Sequence, residues 1–547
     1  MNMPAVPISI EASVRQVVFA VALFLLSASC APAAVFQYAT PVETRQGERM
    51  AYLWVPPKAE QIRGVVMGGM TLMEREFAQD ARIRAACAEE QLAIVFLKCG
   101  LGATDIQHVL DRFARVSGYQ ELSVAPLMFV GHSAGGPQAR LRAREFADRC
   151  FGLVQYRGAD PGDVDHDGTE GIPPGIPALM MIGQFDEFGK IGRDENGIEN
   201  WEKDRDKLAL FRTKNQRNLG SILVEPGAGH FAWSDRNAEY LALFLPRAAR
   251  ARIPASWPMD ARKPVALIPV DPASGWLTDL TIKTPGKFAP APYSQYQGDK
   301  ENAAWHFDKT MAEATVAYHQ GIERQDQFIT WNDPHKVSAG ARNFFDRIAW
   351  IGDGQTFEVH PAYAKIYPQQ SSGRGARWGK AGEAVGHAHV PIRIKQVSGP
   401  IIAVGNNTFR VRYNELAPAA ESARVTFMAF SEGDDEYRYT ERVGMISQLA
   451  LTAGKPQTLT FPSIGNLQPD SPPVELKAAA DSGLPVEYHI AFGPARIADG
   501  KLAIAELPGR TSYPIVIKVV AYQFGRGADP LVQAASPVEQ SLEIRRP

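Results

Sequence analysis

Leu127-Met128-Phe129-Val130-Gly131-His132-Ser133-Ala134-Gly135 is the stretch from which the rest of the chain can be read. Four apolar residues predict a short buried strand, and the helix-like segment Pro137 to Phe146 follows the second glycine. Between them lies G-x-S-x-G, whose glycines permit the sharp strand-to-helix turn that lifts a serine oxygen above a sheet edge. Ser133 is therefore the expected nucleophile, and the plainer alternative is a serine that merely caps a helix. His132, inside the turn, reads as a packing or substrate-lining residue.

Outward from this motif the same grammar repeats. Val65 to Met67, Ile94 to Leu97, Leu153 to Gln155, Ala178 to Ile182 and Ile222 to Val224 are further short apolar runs. They alternate with helix-like segments such as Glu74 to Glu90 and Gln138 to Ala147. Such alternation predicts an α/β domain with a mainly parallel sheet, whose chemistry collects beyond the carboxyl ends of the strands.

A serine alcohol needs a base, and His230 in Gly227-Ala228-Gly229-His230-Phe231 lies just beyond the run Ile222 to Val224, late in the domain. An acid should orient that histidine. Asp186, three residues past Gly183, is the first choice; Glu187 is the alternative, and Glu225 a further one. The developing oxyanion requires backbone donors. The N–H of Ala134 is one, and Met70 in the Gly68-Gly69-Met70-Thr71 loop is favoured over Gly69 for the second. Phe185, Phe231 and Trp233 offer aromatic surface to a substrate, although aromatics equally fill cores. Arg157 is read as meeting a substrate carboxylate or pairing with Asp160.

Taken together, the glycine loop at Gly68 to Thr71, the turn at Gly131 to Gly135, the acid region at Gly183 to Glu187 and the histidine loop at Gly227 to Phe231 resemble the α/β-hydrolase superfamily. The likeness is to its secreted esterases, related to dienelactone hydrolases, feruloyl and acetylxylan esterases and polyester depolymerases, over about residues 45 to 245. It implies an eight-stranded, mostly parallel sheet, a Ser133, Asp186, His230 triad and no obligatory cofactor.

The remainder of the 547 residues departs from that minimal fold. The length suggests about three to four domains at roughly 150 residues each. The expected divisions are 1–34, an export signal; 35–250, the hydrolase; 251–350, a mixed connecting or cap region with a helix from Trp305 to His319; and 351–470 and 471–547, two β-sandwich-like units, the last immunoglobulin-like. The β reading rests on runs such as Thr356 to His360, Arg424 to Met428, Val486 to Ile490 and Ile515 to Tyr522 between turn residues.

Val17 to Leu26 has the length of a signal-peptide apolar run and is too short to span a bilayer. This predicts a secreted or periplasmic protein without a transmembrane anchor, with lipidation at Cys30 as the minority alternative. If Cys30 leaves, Cys87, Cys99 and Cys150 allow one bridge or none. Lys plus Arg total 58 against 60 Asp plus Glu, so no global positive field recruits nucleic acid. Asp163, Asp165 and Asp167 begin like a calcium loop, but Pro174 stands where the closing glutamate belongs, which favours a solvated acidic turn over structural calcium. His387 and His389 lack a third metal ligand at persuasive spacing.

The function expected from these readings is serine-dependent hydrolysis of small-molecule or polymeric carboxylic esters, including plant-derived or polysaccharide-linked ones. Two competing readings are a peptidase or amidase, and an exported adhesion or glycan-binding protein with an inert α/β scaffold and glycan contact through its C-terminal half.

Overall fold

In the computed structural model, the apolar runs of the first half lie side by side in one eight-stranded sheet. The structure describes residues 36–44, 47–69, 72–102, 105–158, 160–162, 171–185, 200–258, 260, 262–283, 285–337, 343–344, 349–368, 381–411, 425–446 and 451–546. The strands are β1 (Tyr38–Thr44), β2 (Gly47–Trp54), β3 (Gly64–Gly69), β4 (Leu92–Leu97), β5 (Leu127–His132), β6 (Cys150–Tyr156), β7 (Pro177–Gly183) and β8 (Leu219–Glu225). Their order is β1-β2-β4-β3-β5-β6-β7-β8. The β1–β2 and β2–β4 pairs are antiparallel and the others parallel. This is the eight-stranded, mostly parallel sheet that the α/β-hydrolase resemblance implies.

Every residue of β3 to β8 is buried, which is why these strands read as unbroken apolar runs rather than alternating ones. Helices α1 (Leu72–Gln79), α2 (Ala81–Glu89), α3 (Ile106–Ser117), α4 (Gly135–Glu145), α5 (Asn200–Lys214) and α6 (Asp235–Arg252) connect or follow them. In α3 the buried positions Ile106, Val109, Leu110, Phe113 and Ala114 recur at helical spacing. Asp105 caps its start by accepting from the N–H of His108 at 2.9 Å, and Gly118, at φ 86°, ends it. The expected segment Glu74 to Glu90 is two helices instead of one. Asp80 leaves helical geometry and caps α2 by accepting from the N–H of Arg82 at 2.9 Å.

The connecting region also differs from expectation. Ala303–His306 is a strand paired with Trp276–Asp279, so Trp305 is not helical. The helix, α7 (Lys309–Tyr318), begins later because Asp308 accepts from the N–H of Met311 at 2.9 Å and caps it there.

Beyond residue 340 the described chain is a set of small, mainly antiparallel sheets. One orders Asn343–Phe344, Thr440–Ile446, Val425–Ser431 and Arg393–Ser398; another orders Ala349–Ile351, Thr356–Glu358, Thr408–Val411 and Ile401–Ala403. Phe357, Phe409 and Phe427 form the apolar filling between them. The last part is built on Glu487–Phe492, Ile515–Tyr522 and Val538–Ile544. Backbone bonds tie segments on either side of residue 470 together: Leu467 N–H donates to Glu543 O, and Gln533 N–H to Lys455 O, each at 2.9 Å.

The C-terminal part shares its core with the eight-stranded sheet, since one apolar cluster runs from Phe36 through Phe129 to Ile517 and Ile544. Arg510 reaches both oxygens of the buried Glu121 at 3.1 Å, and the hydroxyls of Thr511 and Tyr38 meet at 2.9 Å. Cys87, Cys99 and Cys150 are free thiols. The export segment and Cys30 lie outside the described residues. Among the described residues no helix is long and apolar enough to cross a membrane.

Three buried histidines tie the stability of this architecture to pH. His306 and His319 have their pKa pushed down to about 3, and His489 to about 4, burial being the largest cause in each. His319 Nε2 accepts the N–H of Val224 at 2.9 Å, so protonating it would set N–H against N–H. Unfolded histidine titrates near 6.5, so between that value and about 3 the unfolded chain binds more protons than the folded one. Their contribution is complete above pH 6.5 and is lost as pH falls, at up to about 1.4 kcal/mol per pH unit for each histidine. The melting temperature should therefore fall between pH 7 and pH 4.5, and His319→Gln should flatten that slope. A wild-type melting temperature independent of pH in this window would show these sites to be solvated.

Candidate active site

The turn after β5 is built from close backbone approaches. Ser133 has φ 54°, a left-handed conformation that costs a non-glycine residue energy and that persists only where its surroundings enforce it. Ser133 N–H donates to Tyr156 O at 3.0 Å, extending the β5–β6 ladder one residue past the strand. A Cβ on Gly131 would lie 2.1 Å from Gly135 O, and one on Gly158 would lie 2.1 Å from Ser133 O. Both glycines are thus required by contact. Ser133 is partly exposed, and Ala134, the residue at the N-terminus of α4, is exposed.

His230 comes back over this turn from the loop between β8 and α6, and its Nε2 lies 2.7 Å from Ser133 Oγ. That loop is pinned along its length. Gly227 N–H donates to Gln184 Oε1 at 2.9 Å, and Phe185 N–H to Ala228 O at 2.8 Å. Tyr156 Oη donates to Ala232 O at 2.5 Å. His132 Nε2 lies 2.8 Å from His230 O. A carbonyl only accepts, so His132 carries its proton on Nε2, and burial beside His230 holds its pKa well below the ordinary value.

Glu225 closes the base of the loop. Its carboxylate accepts from Ser234 Oγ at 2.5 Å, from Asn237 Nδ2 at 2.9 Å and from Arg157 Nη2. Glu225, a further candidate for the triad acid, is thus bonded to the loop's exit. Arg157 is turned inward to Glu225 and, at 3.7 Å, to Glu441, while Asp160 accepts from Gly162 N–H at 2.9 Å and faces Lys207 at 3.6 Å.

Of the five side chains expected to line the substrate, four are buried in protein contacts: His132, Arg157, Phe185 and Trp233. Trp233 packs edge-on against Tyr156, and the Phe185 ring lies tilted against that of Phe328, 5.6 Å between centroids. Phe231 is partly exposed, with its ring 4.8 Å from that of His230. Asp186, Glu187, Met70, Asp163, Asp165 and Asp167 lie outside the described residues. Among the described residues no group of three or more His, Cys, Asp or Glu is arranged to hold a metal; His387 stacks flat on Tyr363 at 4.2 Å.

The Glu225 clasp and the approach of Glu441 to Arg157 were not foreseen. A glutamate and an arginine at the ends of apolar runs, Glu225 after Val224 and Arg157 after Tyr156, were the signal available.

No family model and no curated protein matches the chain. Similar solved structures include the esterase domain of a Rhodothermus marinus protein, at 18% identity over 39% of this chain and 97% of that one, TM-score 0.26. Dienelactone hydrolase from Anabaena variabilis is similar at 16% identity over 39% and 96%, TM-score 0.25. Est1E from Butyrivibrio proteoclasticus is similar at 16% identity over 39% and 99%, TM-score 0.27.

Gly158→Ala tests the turn independently of any substrate. The added carbon meets backbone, which cannot swing aside, so the variant should lose about 1–3 kcal/mol in urea unfolding. Wild-type stability would mean that the approach of Gly158 to Ser133 is looser than the geometry requires.

Proposed function

We propose that the protein is a serine hydrolase that cleaves carboxylic esters through an acyl-enzyme. The observation that carries this reading is the 2.7 Å contact between Ser133 Oγ and His230 Nε2, on a left-handed turn at the carboxyl edge of a parallel sheet.

In this scheme His230 Nε2 accepts the Ser133 proton as Oγ attacks the ester carbonyl. The N–H groups of Ala134 and Met70 hold the oxyanion. The protonated imidazole then gives its proton to the departing alcohol, and the neutral ring activates water for deacylation. Asp186, or Glu187 beside it, orients His230 and stabilises the imidazolium. Phe231 supplies apolar surface to the acyl or alcohol group, which suits esters with an aromatic or sugar component. The groups named are the protein's own, and the scheme calls on no cofactor. Secretion or export to the periplasm, read from the N-terminal segment, would put the enzyme where polymeric esters are met.

Fluorophosphonate labelling and release of acid from acetyl, feruloyl and polyester substrates test the proposal together. Ser133→Ala should abolish labelling and lower turnover by about a thousandfold or more, and His230→Gln should cost a similar factor. Equal labelling of wild type and Ser133→Ala would remove Ser133 from the chemistry.

A further inference from the structure

One four-residue strip of the β-rich half touches the exits of three sheet strands at once. The Arg438 guanidinium lies over the Phe185 ring, 4.8 Å from its centroid, in the loop after β7. The Tyr439 carbonyl oxygen sits where a Cβ on Gly227 would be, 2.1 Å from it, and Gly227 has φ 62°. Glu441 N–H donates to Gly227 O at 3.3 Å, so the strip is bonded to the backbone of the loop after β8. The Glu441 carboxylate accepts from Tyr439 Oη at 2.9 Å and lies 3.7 Å from Arg157, in the loop after β6. Its side chain is fully buried.

These loops carry the proposed machinery: His230 follows Gly227 by three residues, Asp186 follows Phe185, and Arg157 is bonded to the Glu225 clasp. The contacts involve backbone and buried charge, which allow little slippage. Two packed units with an ordinary interface would touch through side chains at their rims; here glycine is the residue that fits at the point of contact.

We propose that the strip Arg438 to Glu441 is part of the hydrolase centre, and that Glu441 is a positioning residue that fixes the His230 loop through Gly227 and Arg157. The inference rests on the hydrolase reading above and deepens it: the β-rich half is needed for proton transfer at Ser133 as well as for any contact with substrate. A loop displaced by about 1 Å loses rate far more than it loses binding.

The test uses the full chain. Glu441→Ala should lower kcat on a p-nitrophenyl ester by about tenfold or more with KM within about twofold, and slow fluorophosphonate labelling in parallel. Hydrogen exchange in peptides covering residues 226–234 should speed up by about tenfold. Glu441→Gln, whose amide oxygen still accepts from Tyr439 but which gives up the charge facing Arg157, should recover part of the rate. Lys395→Ala, which removes an exposed bridge from the same sheet to Asp235, should leave kcat within about twofold. If Glu441→Ala does not fold, Tyr439→Phe removes only the hydroxyl and should shift kcat and exchange in the same direction.

Unchanged kcat in a folded Glu441→Ala or Tyr439→Phe protein would overturn the proposal, whether or not exchange changes. If wild type neither turns over nor labels, the hydrolase reading fails. Unchanged exchange in residues 226–234 would then sink the positioning role too, whereas faster exchange would leave the loop clamp standing.

Discussion

The Glu225 carboxylate at the end of β8 is the interaction on which the site depends. A buried carboxylate costs several kcal/mol in lost hydration, and the cost is offset only when its oxygens are well bonded. Glu225 receives a hydroxyl, an amide and a guanidinium, all from residues that are themselves buried. The geometry of those donors is what brings the exit of the histidine loop back to its entry. Ser234 is both the hydroxyl donor and the cap of α6, accepting from the N–H of Asn237 at 3.2 Å. The helix start, the loop closure and the neutralisation of Arg157 therefore share one carboxylate. Removing one partner from such a set leaves a charge uncompensated, and is costly by about 3–5 kcal/mol.

The network does not stop at the eight-stranded sheet. Tyr318 Oη donates to Asn237 Oδ1 at 2.5 Å, and Arg236 lies over the rings of both Tyr318 and Tyr439. Burial, with Glu441 and Glu225 nearby, raises the Tyr439 pKa well above its ordinary value, so its hydroxyl stays protonated and donates to Glu441. Arg157 thus lies between two buried glutamates, Glu225 and Glu441, one contributed by each half of the chain. A continuous apolar cluster from Phe36 to Ile544 joins the halves by a second, independent route. Residues 251 onward are accordingly structural partners of the loops that follow β6, β7 and β8 rather than an appended tail.

How much of this was legible depended on the range of the interaction. The six strands β3 to β8 were visible because burial on both faces forces unbroken apolar runs, and the turn at Gly131 to Gly135 because its glycines are required by contacts within a few residues. Ser133 and His230 were placed in order by the loops that follow those strands. The β1 and β2 strands went unremarked: their burial is broken by exposed residues such as Glu43 and Glu48, so they do not read as core. The helix break at Asp80 was missed and the helix start at Asp308 was placed a few residues too early, since an aspartate cap inside an apparently periodic run is easily overrun. The strip from Arg438 to Glu441 was illegible, because its meaning lies in partners more than two hundred residues earlier. Nothing local marks a glutamate as the neighbour of a distant arginine.

The strained residues show why so much of the structure is committed to holding a few loops. Ser133 and Arg157 both take left-handed backbone, at φ 54° and 51°, directly beyond the adjacent strands β5 and β6. Each continues the ladder by one bond, Ser133 N–H to Tyr156 O and Arg157 N–H to Met181 O at 2.7 Å. The sheet therefore imposes the turn: the backbone remains bonded to its neighbour while the chain reverses toward a helix or loop. Conformations of this kind cost about 1–3 kcal/mol each and persist only when over-determined. At Ser133 the over-determination comes from Gly131, Gly158 and the start of α4. At Arg157 it comes from the buried side chain, held by Glu225 from one half of the chain and Glu441 from the other. Strain that displays the serine and charge that closes the histidine loop are thus supported by the same neighbouring strands, which is how a 2.7 Å contact can join residues on separate loops.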